Sequence, residues 1–267
     1  MRGIIIAAGL GSRMGHFTES RPKCLLPIRG RTLLDRTVMN LRAAGCAEVV
    51  VVTGHKAETI TQSDIIIVQN DDYQNNNILH SLMYAREYLD EPAIIMYSDI
   101  WVEPRIYRSL LSTSGDIILS VDRDWKPYYE GRSQHPVSEA ENVLVDRSGF
   151  IVTAGKHLAD NDSAEHLLGE FLGLWRLSAV GCDIFRRTFE ELENRLNPLE
   201  PFEQAREWRK AYITDFVQYL VDQNINVNCS LIERGWAELD TNEDYQRLAS
   251  IADRQKLLTI SEAGEER

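Results

Sequence analysis

Ile4–Ala8 is an unbroken apolar run that stops at Gly9. A run so short, and apolar at every position, predicts a strand covered on both faces. Gly9–Pro22 follows as a polar loop carrying Gly9, Gly11 and Gly15. Leu34, Val38 and Leu41 recur at helical spacing, and Gly45 closes that helix. The β-branched run Glu48–Thr53, bounded by Gly54, and the run Asp64–Val68 predict two more strands. Ile78, Leu82, Ala85 and Leu89 mark a second helix face. Ala93–Met96 predicts a strand ending at Tyr97-Ser98-Asp99, and Asp116–Val121 predicts another. Apolar strands separated by amphipathic helices predict an α/β fold: a single Rossmann-like, mixed but mostly parallel sheet flanked by helices.

From Asp122 to Gly155 the pattern changes. Trp125, Tyr128, Tyr129, Arg132 and His135 lie in a polar stretch broken by proline, ahead of short strands over Asn142–Val145 and Gly149–Thr153. This segment, residues 122–155, reads as a small lid or insertion. Beyond it, Leu167–Trp175 predicts a strand, Val180–Leu196 a helix and Pro198–Lys210 an irregular connection. Helix Ile213–Gln223, strands Val227–Ile232 and Trp236–Leu239, and helix Asn242–Lys256 follow. The expectation is one domain over residues 1–260 and a frayed polar tail over 261–267. No internal repeat or low-complexity tract is present.

Charge narrows the partners. The 267 residues hold 29 Lys and Arg against 41 Asp and Glu, a formal charge of −12. A chain this acidic is poorly suited to a nucleic-acid backbone, where cations releasing counterions supply most of the affinity. A small anion remains within reach, because a local cluster of N–H groups and a few cations can oppose the overall field. No apolar stretch is long enough to span a bilayer, and Ile4–Ala8 is shorter than the apolar region of a signal peptide. Cys24, Cys46, Cys182 and Cys229 are scattered without metal-ligand spacing, which argues for reduced thiols over a disulfide framework or zinc. A cytoplasmic protein without nucleic-acid or membrane partners is expected.

A strand running into a glycine-rich loop usually aims backbone N–H groups at phosphates. Here the loop reads Ala7-Ala8-Gly9-Leu10-Gly11-Ser12-Arg13-Met14. The dinucleotide fingerprint needs a glycine where Met14 stands and an acidic residue where Thr53-Gly54 ends the next strand. A P-loop needs Gly-Lys-Ser/Thr, which is absent. What remains is Arg13 and, about ten residues on, Pro22-Lys23. Two cations tethered to one anion-binding loop suit a clamp on a triphosphate, Arg13 gripping oxygens in pairs and Lys23 acting as a compact charge. Either cation alone would read as part of a solvated loop.

The run from Ile4 to Pro27 resembles the signature of the nucleotidyltransferases that activate sugar phosphates and phospho-alcohols: a strand, Ala-Ala-Gly-x-Gly-x-Arg, then Pro-Lys. The resemblance continues through Asn70–Leu82, Tyr97-Ser98-Asp99 and Trp236-Ala237-Glu238-Leu239-Asp240-Thr241. The Asn-Asn-x-x-x-Ser-Leu element and the late Leu-Asp-Thr resemble the branch that makes CDP-linked products, the choline-phosphate and phosphonate cytidylyltransferases. That resemblance implies transfer of CMP from CTP to a small phosphonate or phospho-alcohol, with release of pyrophosphate. Its acceptors would belong to the class of 2-aminoethylphosphonate, 2-hydroxyethylphosphonate, phosphocholine and phosphoethanolamine. It further implies that Ala8, Gly9, Gly11, Ser12 and Arg13 bind the nucleotide, with Arg13 and Lys23 catalytic. Asp99 and Asp240 would hold Mg²⁺, which favours one or two carboxylates plus phosphate oxygens. Lys156 would meet the acceptor phosphate, with Arg132, Glu170 and Asp215 around the acceptor, and the resemblance leaves room for a homodimer.

Each assignment has a plainer counterpart. Asp99 and Asp240 fit turn or helix-cap aspartates as well as metal ligands. Asn75, Asn76 and Asn77 carry the donors and acceptors that reading a cytosine edge requires, yet one of them would also cap a helix starting at Ile78; Asn70 and Ser81 belong to the same element. Trp125, Tyr128 and Tyr129 could cradle a cationic amine or serve as packing, and Arg132 and His135 could meet a phosphonate. Two other functions share these motifs: a sugar-1-phosphate nucleotidylyltransferase using dTTP or GTP, and a nucleotide-binding regulatory protein without turnover.

Overall fold

The computed structural model describes residues 1–28, 30–158 and 165–254, the last six of these by backbone alone. The tail expected over 261–267, and the end of the helix expected to run to Lys256, lie outside the described residues.

The opening apolar run forms β1 (Arg2–Ala7) at the centre of a nine-stranded sheet. Its alternate residues face opposite ways: Ile5 and Ala7 join one core, Ile4 and Ile6 the other. After a short hairpin of β2 (Pro27–Ile28) and β3 (Arg31–Thr32) comes α1 (Leu33–Ala43), capped by Thr32 and Asp35 in a reciprocal box. Strands β4 (Glu48–Thr53) and β5 (Ile66–Gln69) run parallel to β1 on one side. Helix α2 (Ile78–Met83) leads to β6 (Ala93–Tyr97), parallel to β1 on the other side. Burial of this kind contributes about 1.5–3 kcal/mol per aliphatic side chain.

Besides the β2–β3 hairpin, two elements go beyond those the hydrophobic pattern predicts. They are β7 (Ile100–Val102) and α3 (Pro104–Ser112), the latter with proline in its first turn, where a missing N–H costs nothing. Strand β8 (Ile117–Asp122) then leads into the aromatic stretch, and β9 (Asn142–Val145) and β10 (Ile151–Gly155) form an antiparallel pair. Residues 142–155 thus extend the sheet itself, while 123–141 form turns over one of its faces.

The 11-residue β11 (Leu167–Leu177) joins the two parts. It runs antiparallel to β6 through Leu174–Leu177, to β9 through Leu167–Glu170, and to β8 on its other side. Its register on β8 shifts between Phe171 and Trp175, around Gly173 at φ +74°. A Cβ there would lie 2.3 Å from the Tyr97 ring, so both the backbone angle and the close approach require glycine. Helices α4 (Ala179–Arg195) and α5 (Ile213–Asp222) cover the second core with Phe185, Phe189, Phe216 and Leu220. Strand β12 (Asn228–Ile232) runs parallel to β8. Strand β13 (Trp236–Glu238) pairs antiparallel with β7, and α6 (Asn242–Arg254) follows.

The carboxyl ends of β1, β5 and β6 deliver the glycine loop, Asn70 and Tyr97-Ser98-Asp99 to one edge, where open α/β sheets bind ligands. The four cysteines are buried and unpaired. Among the described residues no helix is long and apolar enough to cross a membrane.

Candidate active site

A cavity of about 470 Å³ opens at that edge, walled by Gly9, Gly11, Arg13 and Lys23 on one side and by Glu141, Lys156, Glu170 and Tyr212 on the other. Gly11 holds a left-handed φ of +63°, and a Cβ on it would lie 2.8 Å from the Lys23 side chain. Glycine there lets the loop lie directly on the lysine. The Thr18 hydroxyl donates to the Gly11 carbonyl at 2.9 Å and pins the turn that follows.

Lys23 Nζ donates to Asp99 Oδ2 at 2.5 Å and to Asp240 Oδ1 at 2.6 Å. Arg13 Nη2 donates to the other Asp240 oxygen at 2.8 Å, and His135 Nδ1 lies 2.9 Å from that same oxygen. The β7–β13 ribbon makes this convergence: Glu238 pairs with Ile100, and the Leu239 N–H donates to the Asp99 carbonyl at 2.7 Å. Burial works against charge on Lys23, but Asp99 and Asp240 more than offset it and hold the ammonium above the ordinary lysine range. Burial likewise opposes charge on Asp240, yet Lys23, His135 and Arg13 hold it well below the usual carboxylate range. Asp240 is therefore an ionised group inside the protein.

The helix-cap explanation for Asp240 does not hold. Thr241 Oγ1 accepts from the Asp244 N–H at 3.2 Å, and Asp244 Oδ2 accepts from the Thr241 N–H at 2.8 Å, so these two residues cap α6. The Asp240 carboxylate is left to the cavity.

On the far wall, Lys156 Nζ meets Glu139 at 3.1 Å and lies 4.4 Å from the centre of the Tyr212 ring. Glu141 accepts from the Tyr97 hydroxyl at 3.2 Å and from Thr214 Oγ1 at 3.5 Å. Burial pushes the Glu141 carboxyl up to about 7, against the pull of Lys156 and the Tyr97 hydroxyl. Burial first, and then nearby Glu238, push Glu170 well above the carboxylate range.

Several expected site residues are placed elsewhere. Arg132 is not among the cavity walls. Its side chain is fully buried, ion-paired to Glu238 at 2.6 Å and Asp244 at 2.9 Å, with the Tyr128 and Tyr129 rings 4.7 and 5.1 Å from its guanidinium carbon. Asp215 caps α5, accepting from the Tyr212 and Gln204 N–H groups at 2.7 and 3.1 Å. Asn70 and Asn76 use their amides on each other, at 2.9 and 3.1 Å, and Asn70 Nδ2 also reaches Ser81 Oγ at 3.0 Å; these three residues brace the loop. Asn77 does line the cavity, with its amide donating to the Lys210 carbonyl at 3.0 Å. Ala8 lies beneath the glycine loop with its carbonyl on the His55 N–H at 3.2 Å, and Ser12 is exposed.

Residues beyond the expected set are Tyr97, Glu139, Glu141, Tyr212 and Glu238. Glu238 was within reach of the sequence, because Trp236 and Glu238 alternate along β13, Asp240 follows at the same spacing just beyond it, and all three line the cavity. Glu141 carries no such signal: it precedes β9 by one residue and stands alone.

A glycine loop, two cations and a convergent carboxylate pair at the carboxyl edge of a mostly parallel sheet define a nucleotidyltransferase. The chain belongs to the MobA-like NTP transferase family, whose domain matches residues 3–167. It is 24% identical to a CTP:phosphoglutamine cytidylyltransferase of Campylobacter jejuni, over 92% of this chain and 98% of that protein. It is 30% identical to a CMP-5'-(3-aminopropyl)phosphonate synthase of Streptomyces rubellomurinus, over 83% of this chain and 37% of that longer protein. The fold matches the solved CTP:phosphocholine cytidylyltransferase of Streptococcus pneumoniae with a TM-score of 0.69, covering 94% of this chain and 98% of that one at 17% identity.

Proposed function

We propose that this enzyme transfers CMP from CTP to a small phosphonate or phospho-alcohol and releases pyrophosphate. The carrying observation is Lys23 held between Asp99 and Asp240, with Arg13 on Asp240, under the glycine loop. Relatives named for CTP or CMP chemistry on phosphorylated or phosphonate acceptors support the choice of base and acceptor class. The reading treats residues 1–260 as one transferase unit.

An acceptor oxygen bonds to the α-phosphorus of CTP as the bond from that phosphorus to the bridging oxygen breaks, and the electron pair leaves with pyrophosphate. The nucleophile is already an anion, so positioning and neutralisation of charge carry the reaction, with no general base required. Gly9 and Gly11 let the chain approach the triphosphate closely, Arg13 grips its outer phosphates, and Lys23 sits where charge develops at the α-phosphate. Asp99 and Asp240 would hold Mg²⁺, which supplies further neutralisation of phosphate charge. The donor set fits: two carboxylates already converge on one cation, and Asp240 is kept ionised. Lys156, facing the cavity from the far wall, would meet the acceptor phosphate.

The test is pyrophosphate release with Mg²⁺ from CTP, UTP, GTP and dTTP, each against aminophosphonates, amino-alcohol phosphates and glucose-1-phosphate. Turnover with CTP and a phosphonate or phospho-alcohol is expected. Turnover with dTTP or GTP on the sugar phosphate would overturn both the base and the acceptor. Nucleotide binding without turnover on any acceptor would favour a regulatory protein instead.

A further inference from the structure

The cavity holds more carboxyl groups than its own cations engage. Asp99 and Asp240 share Lys23, Glu139 meets Lys156, and Glu238 meets Arg132. Glu141 and Glu170 have no cation within ion-pair distance among the described residues, although Glu170 is only 3% exposed. The Tyr129 hydroxyl donates to Glu170 Oε1, while Oε2 is buried without a hydrogen-bond partner. A buried carboxyl oxygen left without a partner costs about 1–3 kcal/mol, and at a ligand cavity a group that enters can supply that partner.

Most aromatic rings around this wall already carry a close neighbour on one face, and Phe171 packs edge-on against Tyr97 and Trp175. Arg132 lies over Tyr128 and Tyr129, Arg234 over Trp236 at 5.4 Å, and Lys156 over Tyr212. Gly173 lies directly against the Tyr97 ring. A quaternary ammonium has no N–H and is held best by open aromatic faces. A protonated primary amine has three donors and is held best by carboxylates. The wall offers the second kind of recognition.

Resting on the cytidylyl-transfer reading, we propose that the acceptor bears a primary ammonium at the end opposite its phosphonate or phosphate. Glu170, through its unpartnered oxygen, receives that ammonium, with Glu141 lining the same cavity. Lys156 receives the anionic group. Glu141 and Glu170 then select the acceptor, while the chemistry occurs at Lys23.

Steady-state kinetics of the full chain with CTP and Mg²⁺ tests this. 2-Aminoethylphosphonate is compared with 2-hydroxyethylphosphonate, and phosphoethanolamine with phosphocholine. A site built to hydrogen-bond a group rejects analogues lacking it, so each primary amine is expected to lead its counterpart by at least about 100-fold in kcat/KM. Glu170→Gln should lower kcat/KM for the amine about tenfold or more, mainly through KM, and leave the KM for CTP unchanged. Glu170→Asp, which keeps an ionisable carboxyl, should recover part of that loss and separates recognition from a folding defect. Counterparts within about tenfold of each other, or discrimination unchanged in Glu170→Gln, would overturn this assignment and leave cytidylyl transfer standing. Failure of CTP with every acceptor, alongside turnover of another nucleotide, would overturn the reading beneath it.

Discussion

At the loop end of the cavity, Lys23 is locked between Asp99 and Asp240, with Arg13 and His135 closing on the same carboxylate. At the far wall, Glu141 and Glu170 are buried as deeply, yet no described cation touches either. On the cytidylyl-transfer reading proposed above, the difference follows from what each end would do. Groups that meet charge developing during reaction work best when already oriented and ionised, because nothing then reorganises during the step. Groups that select a ligand gain discrimination when their partner is the ligand itself, since the wrong ligand leaves them buried and unsatisfied.

Substitutions on either side sharpen the contrast. The largest effect is expected behind the far wall, where Arg132→Ala leaves buried Asp244 and half-buried Glu238 without their cation. Loss of one partner from such a network costs about 3–5 kcal/mol, read as a lower denaturation midpoint. A selective rise in acceptor KM with stability unchanged would contradict the role of Arg132 as a strut. Lys23→Ala should lower turnover at least about 100-fold, as for other donors aimed at transition-state charge. Near-normal turnover would remove Lys23 from the chemistry. Asp99→Asn should raise the Mg²⁺ concentration for half-maximal activity by about tenfold or more, the scale seen even for groups that only support a metal ligand. An unchanged metal titration would make Asp99 a structural aspartate.

The smallest effect sharpens the far wall. In the folded chain Glu141 titrates at about 7, against 4.5 for an ordinary glutamate. Between those values the native state holds a proton that the unfolded chain has released, so folding stability falls as pH rises through that window and levels off above it. Lys156, Tyr97, Asp215 and Glu238 are the charged and titratable groups that bear on this carboxyl. Glu141→Gln removes the titration, so its advantage in melting temperature over the parent should grow from pH 4.5 to about 7 and then stay constant. A pH-independent difference would show that Glu141 is ionised throughout.

The loop end was largely legible in the sequence, and the far wall largely was not. Gly9, Gly11, Arg13 and Lys23 come from one short stretch after an apolar strand, and local chemistry suffices to group them. Asp99 and Asp240 are distant in sequence but each ends an apolar strand, a position that points to the ligand edge. Arg132 reads as a free cation until Asp244, 112 residues later, is seen to hold it. Asn70 and Asn76 read as donors for a base until their mutual pairing appears. Side-chain inventory gives the capacity to bind, and only the fold shows whether that capacity is already engaged. In the same way α3 hides behind Pro104, and the bend of β11 turns on Gly173, whose role depends on Tyr97 across the sheet.

The most direct measurement places Lys23→Ala and Glu170→Gln side by side in steady-state assays with CTP, Mg²⁺ and 2-aminoethylphosphonate. A division of labour predicts that Lys23→Ala lowers kcat and leaves the acceptor KM near the parent value, while Glu170→Gln raises the acceptor KM and leaves kcat near it. Loss of the same parameter in both variants would contradict it, and the cavity would then act as one undivided charge network.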